Sequence, residues 1–439
     1  MKAFSSFSSV LTIGAAVGYL LYSPTGLAQS PSEQDLVKQG DYIARASDCM
    51  ACHTTKEGKP FAGGLVLKTP FGKIVSSNIT PSKKFGIGGW TETQFANAVR
   101  KGSSPRLGHL YPAMPYTAYA GLSDRDMHAL YVYFTKAVEP VEKEPETKTA
   151  LSFPYNIRFA MVGWNMLYAS GRPMADNEST PDGSRRGEYL VKVLAHCGTC
   201  HTPRNKFMAE KSSDFLAGNP NIQGWVAPNI TSDNISGIGG WSEEEIIAYL
   251  KNGAAHGKAQ AAGPMAEAVE YSLRYLTDSD LKAVATYLKT VKPISNLGQT
   301  KANHSYNQAI AVDSAVFDYP IDRSPLAMGA GSSIDGQRLY LNACATCHQP
   351  RGEGTEDQFY PSLTSNSVVG AKDPRNLVMA ILYGVDRQTN DGHVFMPGFA
   401  EQLSDEQITA IAQYVATNFG NPALKVTIND VKLLRNASR

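Results

Sequence analysis

Apolar residues recur at helical spacing in six stretches of the chain, and the six fall into three pairs. The first member of each pair covers residues 36–46, 186–195 and 334–343, and carries a glycine followed by a tyrosine: Gly40 and Tyr42, Gly187 and Tyr189, Gly336 and Tyr340. Glycine on a helix face lowers helix propensity but lets a second helix approach closely. The second member covers 122–134, 276–288 and 403–415. Each begins Leu-Ser/Thr and has Asp or Gln at its fifth position, a capping-box arrangement with acid at the positive end of the helix dipole. The pattern predicts three repeats, each an opening helix, a long Gly- and Pro-rich stretch and a closing helix packed on the opening one. The expected fold class is all-α with few strands.

The segments between the pairs differ in kind. Residues 139–150 are charged and contain Pro, 171–184 are rich in Ser, Pro and Gly, and 293–333 are irregular and rich in Asn and Gly. They give expected boundaries of 29–150, 181–292 and 333–439 for three domains, with linkers at 151–180 and 293–332. Within the first linker, residues 153–168 hold Phe153, Tyr155, Phe159, Trp164 and Tyr168, with Arg158 the one charge. Such a stretch belongs at a subunit interface, in a membrane interface, or in plain interdomain core.

At the N-terminus, Lys2 precedes an apolar run at 10–21 and the small-residue site Gly26-Leu27-Ala28, so residues 1–28 read as a secretion signal cleaved before Gln29. The apolar run is short for a membrane span, although an uncleaved anchor is the alternative. No later stretch reaches 18 apolar residues, which leaves peripheral contact as the expected mode of membrane association. Of 41 basic and 40 acidic residues, the leader removes one lysine, so the mature chain is formally neutral and points to no nucleic-acid partner.

All six cysteines stand in three Cys-x-x-Cys-His motifs: Cys49, Cys52 and His53; Cys197, Cys200 and His201; Cys344, Cys347 and His348. First cysteines lie 148 and 147 residues apart, so each repeat carries one motif just after its opening helix. Two thiols three positions apart can add to the two vinyl groups of one porphyrin while the adjacent histidine ligates its iron. A zinc site or a redox dithiol would suit a single motif. Three identical motifs with no cysteine left over predict three covalently bound haems c. Such attachment is made outside the cytoplasm, so leader and motifs both indicate a bacterial periplasm.

An electron-transfer haem has both axial positions filled, and a methionine sulfur raises the potential relative to a second histidine. Each repeat offers one before its closing helix: Met114 in Tyr111-Pro-Ala-Met-Pro-Tyr116, Met265 in Gly263-Pro-Met-Ala266 and Met396 in Phe395-Met-Pro-Gly-Phe399. They follow the first cysteine by 65, 68 and 52 residues, and the parallel placement separates them from Met127, Met208 and Met379. Met265 has its proline on the other side. His109, His256 and His393 are the rival ligands, three to nine residues upstream of each methionine. The first two repeats share Asn78-Ile-Thr80 with Gly86-Ile-Gly-Gly-Trp90, and Asn229-Ile-Thr231 with Gly237-Ile-Gly-Gly-Trp241; the Gly-x-Gly-Gly string lacks dinucleotide-fingerprint spacing and reads as a tight loop at a haem edge. These motifs also make the first two repeats closer to each other than to the third.

With these motifs, Cys200-His-Thr-Pro-Arg204 and the run Glu267-Ala-Val-Glu-Tyr-Ser272, the chain resembles the three-haem cytochrome c subunit of bacterial membrane-associated dehydrogenases for sugars, sugar acids and alcohols. The resemblance covers the whole mature chain and leans toward subunits partnered with flavin-containing glucose or gluconate dehydrogenases, rather than pyrroloquinoline quinone alcohol dehydrogenases. It implies three tandem class I-like cytochrome c domains, with His53–Met114, His201–Met265 and His348–Met396 as axial pairs. It further implies a large flavoprotein dehydrogenase subunit, a small third subunit, and electron delivery to ubiquinone at the outer face of the cytoplasmic membrane. Some relatives end in an apolar or amphipathic anchor, whereas this chain ends in the basic Lys432-Leu-Leu-Arg-Asn-Ala-Ser-Arg439, which shifts the expected membrane contact to 153–168. With no flavin or nucleotide fingerprint and no nucleophile–base pair, the chain reads as a non-catalytic electron-transfer subunit. The alternatives are a quinoprotein alcohol dehydrogenase subunit, a free periplasmic shuttle, or a self-contained multihaem enzyme with an open iron site at Met265.

Overall fold

A computed structural model of the protein describes residues 31–174, 183–306 and 334–437, together with Met1. The proposed leader after Met1, linker residues 175–180 and most of the 293–332 linker lie outside the described residues.

The three predicted helix pairs form as Glu33–Ala46 with Asp124–Lys136, Ser184–Tyr189 with Asp278–Thr290, and Gly336–Ala343 with Asp405–Phe419. The same close crossing builds each pair. A Cβ at Gly40 would sit 2.2 Å from the Ala129 carbonyl oxygen, at Gly187 2.0 Å from that of Ala283, and at Gly336 2.4 Å from that of Ala410. Only glycine lets these backbones meet, so the three glycines are structurally equivalent.

That equivalence corrects one pairing read from the sequence. Tyr42 and Tyr189 lie two residues beyond their glycines, but Tyr340 lies four beyond Gly336 and is a core residue whose hydroxyl donates to the Gln349 carbonyl at 2.7 Å. The second opening helix also departs from regularity: after Tyr189 it widens into a π-turn at Leu190–Leu194. The path from Gly187 to Cys197 is one residue longer than that from Gly40 to Cys49, and a π-turn absorbs such an insertion.

Among the described residues the strands are short, two to five residues each, so the fold is largely helical. The longest is the antiparallel hairpin Val385–Thr389 with Gly392–Met396. The charged stretch that leads into the first linker is pinned to the first repeat, because Ala150–Leu151 pairs with the strand Gly72–Val75 and the Asn78 amide donates to the Val141 and Lys143 carbonyls.

One continuous core includes Leu130, Phe134, Leu190 and Leu281 and joins the first two repeats, while Tyr340, Ile411 and Phe419 belong to a separate core in the third. The seam between the first two is built from two reciprocal carboxylate contacts. Asp280 accepts from the Tyr42 hydroxyl at 2.5 Å and from Arg186 Nε and Nη2 at 2.9 and 2.7 Å. Asp126 accepts from the Tyr189 hydroxyl at 2.8 Å and from Gln39 Nε2 at 2.7 Å. Each carboxylate stands at the third position of a closing helix. Their helices keep the Ser123 and Thr277 caps, but only the third repeat, with Ser404 and Gln407, completes the capping box.

Candidate haem centres

Each Cys-x-x-Cys-His motif lies on a short helical turn, Cys49–His53, Gly198–His201 and Ala345–His348. The imidazoles are oriented alike. Nδ1 of His53, His201 and His348 lies 2.7, 2.7 and 2.8 Å from the carbonyl oxygens of Ser77, Pro228 and Pro361. A carbonyl can only accept, so the proton sits on Nδ1 and Nε2 keeps its lone pair, which is the form that ligates a metal. Burial holds all three imidazoles below their ordinary range and favours the neutral ligand form.

The Asn-Ile-Thr motifs explain two of the three acceptors. Asn78 Oδ1 accepts from the Thr80 amide and hydroxyl at 2.8 and 2.7 Å, and Asn229 Oδ1 from those of Thr231 at 2.9 and 2.7 Å. This turn fixes the preceding carbonyl, of Ser77 or Pro228, against the histidine. The third repeat reaches the same geometry from Pro361 in an unrelated loop.

No cysteine is paired with another. Burial pushes the Cys49, Cys52, Cys197 and Cys344 thiols up to about 12 and raises that of Cys200, the opposite of the depressed values that redox dithiols need. Among the described residues, no three His, Cys, Asp or Glu side chains are placed to hold a metal ion directly. What the motifs do share is space: a single cavity of about 2860 Å³ is lined by all six cysteines and by His53, His201 and His348. An ordinary small-molecule pocket holds about 300–1,000 Å³. The volume, the thiols without bonding partners and the inward Nε2 atoms fit porphyrins attached at the motifs.

Met114, Met265 and Met396 all line that cavity. They reach it from different local structures. Met114 lies in a turn closed by its amide donating to the Tyr111 carbonyl, Met265 follows Pro264 in the first turn of the helix Pro264–Tyr271, and Met396 ends the third repeat's hairpin. Pro264 is suited to that helix start, since its missing N–H costs nothing there. His109, His256 and His393 do not line the cavity; His256 is exposed and His393 Nε2 bonds Asp386 at 2.7 Å. Met127 and Met379 are buried in helical cores, and Met208 is exposed at the cavity rim.

The cavity walls also carry residues that the motif search missed. Asp48, His196 and Glu267 gather where the first and second sites meet, close enough for Asp48 and Glu267 to act on Cys52, which is itself near Cys200. Burial pushes His196 down to about 4. His196 directly precedes a motif and Asp48 occupies the matching place in the first repeat, which was the available signal. Arg387 is the other omission and had none.

The cytochrome c family model matches residues 184–292 and 333–418. The chain is 42% identical over 441 residues to the fructose dehydrogenase cytochrome subunit of Gluconobacter japonicus, covering 97% of this chain and 89% of that protein. It is 37% identical over 433 residues to the cytochrome c subunit of the quinone alcohol dehydrogenase of Gluconacetobacter polyoxogenes, covering 96% and 89%. It is 36% identical over 424 residues to the gluconate 2-dehydrogenase cytochrome c subunit of Pantoea cypripedii, covering 93% and 91%. Cytochrome c domains carry covalently bound haem c, and the three cysteine pairs are compatible with three such groups. The chain belongs to the family of cytochrome c subunits of dehydrogenase complexes.

Proposed function

We propose that the chain is a three-haem electron-transfer subunit, taking electrons from a large flavoprotein that oxidises a sugar or sugar acid and delivering them to ubiquinone. The observation that carries this is the threefold recurrence, in one cavity, of a thiol pair, a carbonyl-oriented histidine and a methionine. Bound haem supplies one-electron exchange at iron. Each cysteine pair would hold one such group by two thioethers, Nε2 of His53, His201 and His348 and the sulfurs of Met114, Met265 and Met396 would be its iron ligands, and the cavity walls would exclude water.

We place the subunit in the periplasm, on the outer face of the cytoplasmic membrane, with a small third subunit completing the complex. No helix among the described residues is long and apolar enough to cross a membrane. Support for surface contact comes from an apolar patch in which Phe153, Phe159, Met166, Leu167 and Phe207 are 67–80% exposed. The uncharged helix Met161–Tyr168 carries part of it and is fastened by Trp164 Nε1 donating to the Phe207 carbonyl and Tyr116 donating to Asn165. This exposure supports a surface role for 153–168 over the interdomain-core reading, although Trp164 and Tyr168 are half-buried. Lys206, next to Phe207, is exposed, whereas Arg158 is half-buried and donates to the His109 carbonyl at 2.9 Å over the Tyr111 ring.

Haem stoichiometry and intact mass test the reading: the protein exported from a strain with cytochrome c maturation should carry three covalent haems per chain. One or two haems, or thiols free to alkylate, would overturn it. The similarity to a quinone alcohol dehydrogenase subunit favours one second reading, a quinoprotein partner in place of the flavoprotein.

A further inference from the structure

The hairpin that brings Met396 to the cavity also brings a charge. Val385 pairs with Met396 and Arg387 with Val394, so Arg387 lies on the hairpin face that carries Met396 and lines the same cavity. Its side chain crosses into the second repeat. It is 1% exposed, Nη1 donates to the Ala261 carbonyl, Nη2 lies 3.3 Å from Gln260 Oε1, and Nε has no partner. Ala261 stands four residues before Met265.

The second repeat is shaped to admit this intruder. Gly253, at φ +71°, would place a Cβ 2.6 Å from Arg387 Cζ; at the equivalent Gly102 of the first repeat the same space is filled by that repeat's own Tyr116 ring, 2.6 Å away. An aromatic side chain from within the repeat is thus replaced by a guanidinium from the next one. Among the described residues no carboxylate pairs with it: nearby Asp386 bonds His393, and Asp391 bonds Asn252. Guanidinium stays charged, and a buried charge with two neutral acceptors and one unmade hydrogen bond is expensive unless an anion joins it.

We propose that Arg387 is the counter-charge of a haem carboxylate at the seam between the second and third centres, positioning that haem and raising its potential. This rests on the three-haem reading. The planar fork suits a carboxylate, and its charge disfavours the oxidised iron. Both neighbouring haems are possible sources of the carboxylate, because Arg387 touches the Met265 side of one site and shares a strand face with Met396 of the other.

Equilibrium redox titration of the holoprotein tests it, with haem content measured in parallel. Arg387→Gln should keep three haems, lower one of the three midpoint potentials and make that step pH-dependent, since the freed carboxylate now takes up a proton as iron takes an electron. Arg387→Lys should restore most of the potential. Met265→His and Met396→His each lower their own step, and the step that coincides with the Arg387→Gln shift names the haem. Three haems with three unmoved potentials in Arg387→Gln would overturn the inference while leaving the three-haem reading intact. Should the Gln variant fail to hold haem, Arg387→Met, which removes the charge but keeps the length of the side chain, takes its place: one step moved down supports the inference, and three unmoved potentials overturn it. Fewer than three haems in the unaltered protein would remove the underlying reading instead.

Discussion

Asp126 and Asp280 occupy matching positions in the first two repeats, yet truncating them should have unequal costs. Asp280→Ala removes the acceptor of two guanidinium bonds from Arg186, at 2.9 and 2.7 Å, and of the Tyr42 hydroxyl. Asp126→Ala frees only neutral donors, Tyr189 and Gln39. Breaking a buried ion pair costs about 3–5 kcal/mol, and because the Arg186 side chain is 25% exposed we lower this to about 2–4 kcal/mol. The buried Tyr189 hydroxyl left without its acceptor costs about 1–3 kcal/mol, and half-buried Gln39 can turn to water and adds little. Both helices keep their N-caps, since Ser123 and Thr277 accept from the backbone amides of residues 126 and 280, which the substitutions leave in place. Urea unfolding of the reduced holoprotein, followed by far-ultraviolet circular dichroism, should place Asp280→Ala below Asp126→Ala in midpoint at similar slope. Adding Arg186→Ala to Asp280→Ala should recover part of the loss, because the uncompensated charge is gone. Equal midpoints for the two single variants, or strict additivity in the double, would refute the ion-pair reasoning.

Other outcomes follow from the same geometry. Gly40→Ala, Gly187→Ala and Gly336→Ala gain about 1 kcal/mol of helix propensity but force apart backbones already in contact, a clash worth about 1–3 kcal/mol or more; each should lower the unfolding midpoint, and a rise in any would contradict the crossing. Met114→Ala, Met265→Ala and Met396→Ala should each remove about a third of the near-infrared sulfur-to-iron absorption of the oxidised protein, and an unchanged spectrum would reject that methionine as ligand. Replacing Phe159 and Met166 with Ser should release the assembled complex from anionic vesicles in a flotation assay without altering haem content; undiminished flotation would argue against this patch as the membrane contact.

The sequence exposed what depends on local spacing. The opening and closing helices, the crossing glycines and the cysteine motifs follow from periodicity and covalent reach, and all appear where expected. The three methionines were marked by parallel position alone, and they share a cavity although one sits in a turn, one in a helix and one at a strand end. Contacts between repeats were not legible. Asp126 and Asp280 carry a capping-box signature, but the carboxylates turn away from the helix's own N-cap amide to a tyrosine of the neighbouring repeat and to Gln39 or Arg186 of their own opening helix. Nothing in the sequence marks Arg387, which stands between Asp386 and Gln388 on a strand and is buried against the second repeat. The histidine acceptors were half-legible: the Asn-Ile-Thr turn recurs in the first two repeats, while the Pro361 carbonyl has no matching motif.

Electrons should enter these haems from a partner dehydrogenase. We would capture the tagged subunit from native membranes in mild detergent, identify the co-purifying chains, and follow haem absorption on adding fructose, gluconate or ethanol in turn. The account predicts a large flavin-bearing partner and reduction of the haems by a sugar or sugar acid. Reduction by ethanol through a quinoprotein would transfer the subunit to the second reading. Capture without any dehydrogenase, with haems that dithionite reduces and none of the donors does, would contradict the account.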